Sequence, residues 1–284
     1  MNKREVVPYY RKCASAMEFA YTYIKTLFDV DKSVGELCKL RGYTLDGEQR
    51  KLLEAMQICY CTMSIEDEGL GELAPELGLT TKTERFLLDE RFIIPVRDII
   101  GNLVTLIGYY PDNKKYITVP APFFSKDVLF FNIDHAYKLS MQKFNGVVFL
   151  VEGIFDCLSL RSIGLPVLAT MGSTVSLLKK ELLKIFKKVI YIPDNDAVGR
   201  RALNRRDSVF GWNVPDNATG IRLSGSILIN DEEGASKQLK IKDVDNLVSW
   251  FEAEDIRDML LEYADCRDEI AHLDLGCIDM RVSA

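Results

Sequence analysis

Apolar positions recur at two spacings along this chain, and the change between them falls near Asp89. Before it the spacing is mostly helical. From Arg11 to Phe28, the residues Met17, Tyr21, Ile24 and Phe28 lie near one helical face. Ser33 is the expected cap of a short helix running to Leu40 and stopped by Gly42. Gly47 to Cys61 repeats the pattern with Leu52, Leu53, Met56 and Tyr60, and the acidic Ser64–Gly71 stretch reads as a loop. After Asp89 the pattern is that of strands. Arg91-Phe-Ile-Ile-Pro-Val-Arg-Asp is one, Asp98-Ile-Ile-Gly101-Asn102 a turn, and Leu103 to Tyr109 a second strand. Pro111-Asp112-Asn113 turns again before Lys114, Lys115 and Tyr116, which predicts a small β-meander with exposed lysines.

From Gly146 the chain alternates. Val147–Val151 is an apolar strand, Asp156–Ser162 a short helix, and Pro166–Thr170 a second strand. Thr174–Phe186 is an amphipathic helix, predicted to turn Val175, Leu178, Leu182 and Ile185 inward and Lys179, Lys180, Lys184 and Lys187 outward. Val189–Ile192 is a third strand, ended by Pro193, and a basic helix follows from Arg200 to Phe210. Ile221–Ile229 adds a further strand, and Asp245 is the expected cap of a helical region running to Tyr263. Strand and helix in alternation with short links predict an α/β fold, a parallel sheet flanked by helices.

Composition narrows the picture only a little. A hydrophobic content of 48% and a charged content of 27% over 284 residues are ordinary for a globular protein. The net charge of −6 gives no bulk attraction to nucleic acid, but local patches set the field at a groove. Seven scattered cysteines with no CxxC, and only two histidines, argue against structural zinc and fit free thiols in a reducing cytoplasm. No apolar stretch approaches membrane length and the N-terminus has no apolar signal core, so the expectation is a cytoplasmic protein with no membrane partner.

Acids stand where strands are expected to end. Glu152 closes the first strand, Gly153 permits a tight turn, and Asp156 lies in the first helical turn. Asp194 and Asp196 follow the third strand, and Asp243 and Asp245 form a later pair. Loops beyond the carboxyl ends of parallel strands are where such sheets bind ligands. Clustered carboxylates repel, and a hard divalent ion such as Mg²⁺ or Mn²⁺ relieves the repulsion with oxygen ligands. Each acid alone also has a plainer reading, as a strand-end charge, a helix N-terminal charge or a cap.

Glu152-Gly-Ile-Phe-Asp156 and Asp194-Asn-Asp196-Ala-Val-Gly199 resemble the two signatures of the TOPRIM domain, shared by primases, topoisomerases and some nucleases, and Gly172 matches its glycine turn. Within that group the chain is similar to bacterial and phage DnaG-type primases. Arg91-Phe-Ile-Ile-Pro-Val-Arg-Asp-Ile-Ile-Gly101 resembles the segment preceding their TOPRIM domain, Lys115-Tyr116 with Pro120 resembles their K-Y-x-x-x-P element, and Lys242-Asp243-Val-Asp245 their K-D-P-D motif. The likeness runs from about Phe86 to Asp245. It implies an N-terminal helical region at 1–88, a small mixed α+β subdomain at 89–140, a TOPRIM domain at 141–250 and a C-terminal helical tail at 251–284.

The resemblance implies RNA primer synthesis on single-stranded DNA. Glu152, Asp194 and Asp196 would be catalytic, and with Asp156, Asp243 and Asp245 would form the metal site. Lys114, Lys115, Lys126 and Arg200 would meet template or nucleotide phosphates, and Tyr109, Tyr110 and Tyr116 are packing residues or base-stacking ones. Ribonucleoside triphosphates and a replicative helicase would be the further partners. Three departures stand out, one of them Val244 in place of the proline of the K-D-P-D motif. The family's zinc-binding domain has no counterpart here, so a separate polypeptide would supply initiation, as in a compact phage or mobile-element protein, or initiation would follow another route. The family's glycine- and arginine-rich stretch is here Leu106-Ile-Gly108-Tyr-Tyr, with no arginine. A TOPRIM nuclease using the same metal site and a non-catalytic replisome subunit binding helicase or DNA are the alternatives.

Overall fold

The computed structural model describes residues 3–62, 70–71, 73–82, 85–120, 128–172, 175–197, 217–230, 236–265 and 270–281. The chain divides into two compact units, Met1–Asp134 and His135–Ala284.

The first unit opens with three helices, α1 (Lys3–Leu27), α2 (Val30–Arg41) and α3 (Glu48–Ala55). Asp29, not Ser33, caps α2, its carboxylate accepting from Lys32 N. Ser33 instead accepts from Tyr60 N through its Oγ, at 2.9 Å. Gly42 closes α2 in the left-handed conformation, as its position predicted (φ +73°). The helical pattern from Gly47 to Cys61 breaks halfway. Tyr21 Oη donates to the carbonyls of Met56 (2.9 Å) and Gln57 (2.8 Å) at the end of α3, and the chain then turns into strand β1 (Cys59–Cys61). Helical spacing could not reveal this, because β1 exists by virtue of an antiparallel partner far along the chain: Cys59 pairs with Ile93, 34 residues on.

A short helix, α4 (Leu73–Glu76), precedes the predicted meander, which forms as β2 (Arg91–Arg97), β3 (Leu103–Tyr110) and β4 (Lys115–Thr118). With β1 these make a sheet of order β1-β2-β3-β4. The β2–β3 turn accounts for its D-x-x-G motif locally: Asp98 Oδ1 accepts from Ile100 N (3.0 Å) and Asn102 N (2.8 Å), and Gly101 takes a φ of +94°. Met17, Ala20, Tyr21 and Ile24 of α1 bury against Cys59, Cys61, Ile93 and Leu106 of the sheet, which completes this unit's core.

The second unit runs α5 (Ile133–Lys143), β5 (Val147–Val151), α6 (Ile154–Ser162), β6 (Val167–Ala169), α7 (Leu177–Leu183), β7 (Lys188–Tyr191), β8 (Ala218–Asn230), β9 (Ser236–Lys240), α8 (Val244–Trp250), α9 (Ala253–Asp265) and β10 (Ile270–Arg281). The described strands form one sheet of order β10-β8-β7-β5-β6, all neighbours parallel, with β9 antiparallel on β8. The α/β expectation holds. The near-unbroken apolar runs of β5 and β7 reflect strands buried on both faces.

Three readings need correction here. Helix α7 follows the expected pattern only in part: Val175 is buried and Lys184 and Lys187 are exposed as predicted, but Leu178 and Ile185 are exposed, whereas Lys179 and Lys180 are 2% and 8% exposed, and Lys179 Nζ donates to Thr170 O at the end of β6. The pattern read over Thr174–Phe186 misled because the helix has only seven residues, following its cap Ser176. The C-terminal tail is not wholly helical: α9 is followed by β10, which finds its place by pairing with β8. Asp243, not Asp245, caps α8, by accepting from Asn246 N. The basic helix expected from Arg200 to Phe210 lies outside the described residues. Among the described residues no helix is long and apolar enough to cross a membrane.

Candidate functional site

Parallel pairing of β5 with β7, with Leu150 opposite Tyr191, delivers Glu152 and Asp194 to the same edge of the sheet. Glu152 follows directly on β5. Its carboxylate accepts from Tyr191 Oη at 2.9 Å and from the backbone N–H of Asp194. The strand-end turn is stitched further by Met171 N, which donates to Glu152 O at 3.1 Å. Asp194 is half-buried and Asp196 exposed on the loop after β7.

The third acidic stretch is brought in by Asn195. Its backbone N–H donates to Lys242 O at 2.6 Å and its Nδ2 to Ile241 O at 2.9 Å. The loop ahead of α8 is thereby clipped to the Asp194–Asp196 turn, and Asp243 arrives beside Asp194. The one sequence signal for Asn195 is its place as an amide between two acids.

Asp156 and Asp245 lie deeper, 9% and 8% exposed. Asp156 Oδ1 accepts from Asp245 N at 3.2 Å, and Ser159 Oγ is hydrogen-bonded to Asp245 Oδ1. The pair thus ties α6 to α8. Gly153 is needed where Asp156 folds back: a Cβ there would sit 2.3 Å from Asp156 Oδ2.

Electrostatics record the crowding. Burial, first, and then the charges of Glu152, Asp243 and Asp196 push Asp194 up to about 7, with Lys242 opposing. Burial and then Asp243, Asp194 and Asp245 raise Asp156 well above the carboxylate range. Glu152 is raised by burial and by Asp196, against the hydrogen bond from Tyr191. Acids on three separate segments therefore share one field with little cationic relief, the situation a bound divalent ion resolves. Hard carboxylate oxygens on a partly open loop suit such an ion. Among the described residues no three His, Cys, Asp or Glu side chains already stand as a finished ligand set, so an ion would draw these acids together.

The predicted phosphate-binding residues belong to the other unit or lie outside the described residues. Lys114 and Lys115 are exposed at the β3–β4 turn, Lys114 with φ +53°. Lys126 and Arg200 are outside the described residues. Tyr60, Phe92, Tyr109 and Tyr116 form a paired row across the four strands, with Tyr109 and Tyr116 ring centroids 5.0 Å apart. Tyr109 is buried and so packs; Tyr116 is 45% exposed and leaves a ring face in reach of solvent. β3 lacks the arginine of its likeness, but Arg91 of β2 holds its guanidinium 5.4 Å from the Tyr110 ring centroid. Gly108 makes room for it, since a Cβ there would meet Arg91 Cδ at 2.5 Å.

Residues 149–214 match the Toprim-like family. The DNA primase of Thermotoga maritima is 32% identical over 155 residues, which cover 50% of this chain and 27% of that protein. The chain spans between about a quarter and two fifths of the length of the curated DNA primases it matches. The RNA polymerase domain of Mycobacterium tuberculosis primase DnaG superposes with a TM-score of 0.66 at 16% identity, over 88% of this chain and 83% of that one. A DnaG primase catalytic domain solved bound to single-stranded DNA gives a TM-score of 0.64 at 18% identity, over 89% and 78%. The chain is thus similar to the Toprim-like family over residues 149–214, and its described residues share the fold of the DnaG-type primase catalytic core.

Proposed function

We propose that this protein makes short RNA primers on single-stranded DNA by metal-dependent nucleotidyl transfer. The observation that carries the reading is the convergence of three segments at one end of the sheet: parallel pairing brings Glu152 and Asp194 together, and Asn195 clips the Lys242–Asp243 loop to them, so that Glu152 and Asp243 both act on Asp194. The similarity to DNA primases over half the chain supports it. Glu152, Asp194, Asp196 and Asp243 would hold Mg²⁺ or Mn²⁺. Asp156 and Asp245, predicted as ligands, act in this reading as the brace beneath them, since their carboxylates already join α6 to α8. An ion held there would supply Lewis-acid polarisation of a nucleotide phosphate and offset the charge of the leaving pyrophosphate. The chain's own task is to place oxygen donors before the substrate arrives, so that little reorganisation is left for the reaction.

Lys114 and Lys115 are assigned to template or nucleotide phosphates, with Lys126 and Arg200 in the same role, and the exposed Tyr116 ring to a base. A replicative helicase and a separate zinc-binding initiation module complete the proposed partners, in the cytoplasm. The test is primer synthesis from a single-stranded template, ribonucleotides and Mg²⁺. Asp194→Ala should abolish the product while leaving the fold intact. Undiminished activity in that variant removes the metal-site reading, and release of nucleotides from labelled DNA without ribonucleotides would make the protein a nuclease instead.

A further inference from the structure

We propose that Tyr191 is a positioning residue for Glu152, and that by engaging Oε1 it keeps this carboxylate a one-oxygen ligand, tuning the site to small octahedral cations over Ca²⁺. The inference rests on the reading above, in which Glu152 is a metal ligand.

The geometry is specific. Tyr191 is 1% exposed on β7, between Val189, Ile190 and Ile192, all buried and aliphatic. A buried phenol in such a strand needs a partner for its hydroxyl. The parallel register sets Tyr191 opposite Leu150, and two residues further on the same face comes Glu152. Tyr191 Oη therefore reaches Oε1 at 2.9 Å on a diagonal step between strands. The Asp194 backbone N–H supplies a second donor to the same carboxylate. The bond from Tyr191 uses a lone pair of Oε1 and makes that oxygen the poorer donor to a cation, which favours binding through a single oxygen. Ca²⁺ takes six to eight oxygens and readily uses both oxygens of a carboxylate, whereas Mg²⁺ keeps close to octahedral geometry with single-oxygen ligands. Groups that orient a metal-binding side chain commonly change metal affinity ten- to a hundred-fold when lost.

Tyr191→Phe removes the hydroxyl and keeps the ring. Thermal-shift titrations of chelator-treated protein with MgCl₂ and with CaCl₂ read the site without turnover. Wild type should be stabilised by Mg²⁺ at lower concentration than Tyr191→Phe, by roughly ten-fold. Half-saturation by Ca²⁺ should be unchanged or lower in the variant, so discrimination between the ions falls. Primer synthesis by the variant should return at saturating Mg²⁺, as a loss of packing would not allow. Equal Mg²⁺ and Ca²⁺ half-saturations in the two proteins overturn the role of Tyr191 while leaving the metal site standing. Absence of any Mg²⁺ shift in wild type overturns the metal reading and this inference with it. Should Tyr191→Phe not fold, Glu152→Asp draws the carboxylate away from the hydroxyl without touching β7; retained discrimination there refutes the proposal.

Discussion

Asp194→Asn should make the metal-free protein more stable at pH 8, although it removes a carboxylate that the proposed reaction needs. Asp194 is raised from 3.8 to about 7, chiefly by burial and then by Glu152, Asp243 and Asp196. The folded state therefore holds the proton more tightly than the unfolded chain does. Its favourable contribution is complete below about pH 4, and is lost as pH rises through about 7. At 1.36 kcal/mol per pH unit the full difference is ~4 kcal/mol. Asp194 is only half-buried, and solvent screening brings a realistic figure to ~2 kcal/mol. An isosteric amide escapes this penalty. For a unit of this size ~2 kcal/mol corresponds to a Tm rise of about 4–8 °C. The assay is thermal unfolding of both proteins in chelator between pH 5 and pH 8. The gap should be widest at pH 8 and close towards pH 5, and saturating Mg²⁺ should reverse the order by stabilising wild type alone. A variant no more stable than wild type in chelator at pH 8, or wild-type stability that climbs across this range, would refute the crowded-carboxylate argument.

Two further substitutions probe the scaffold around the acids. Gly153→Ala sets a methyl against the buried Asp156 carboxylate, 2.3 Å from Oδ2, and should lower stability by about 1–3 kcal/mol in denaturant unfolding with a matching loss of primer synthesis. Asn195→Ala deletes the Nδ2 bond to Ile241 O but keeps the backbone bond to Lys242 O; stability should fall by only ~1 kcal/mol, while half-saturating Mg²⁺ in a thermal-shift titration rises several-fold.

Much of this protein was decided by nearest neighbours in sequence. Val147–Val151 and Lys188–Tyr191 are strands because short β-branched and apolar runs end at Gly153 and Pro193, which punctuate the chain whatever surrounds them. The meander from Arg91 follows from Asp98 and Gly101, whose turn is closed by hydrogen bonds within five residues. Acids placed just after β5 and β7 were legible for the same reason, since parallel strands present their carboxyl ends together. What the sequence left open depends on partners far along the chain. Cys59–Cys61 is a strand only beside Ile93, and Ile270–Arg281 only beside β8. Lys179 is buried because Thr170 offers a carbonyl, against every cue of helical amphipathicity. The hold of Tyr191 on Glu152, the clip of Asn195 onto Ile241 and Lys242, and the brace between Asp156 and Asp245 all join positions 39 to 89 residues apart. Local pattern fixes which backbone states are cheap; only tertiary packing, by taking these polar groups out of water, decides which distant groups must satisfy one another.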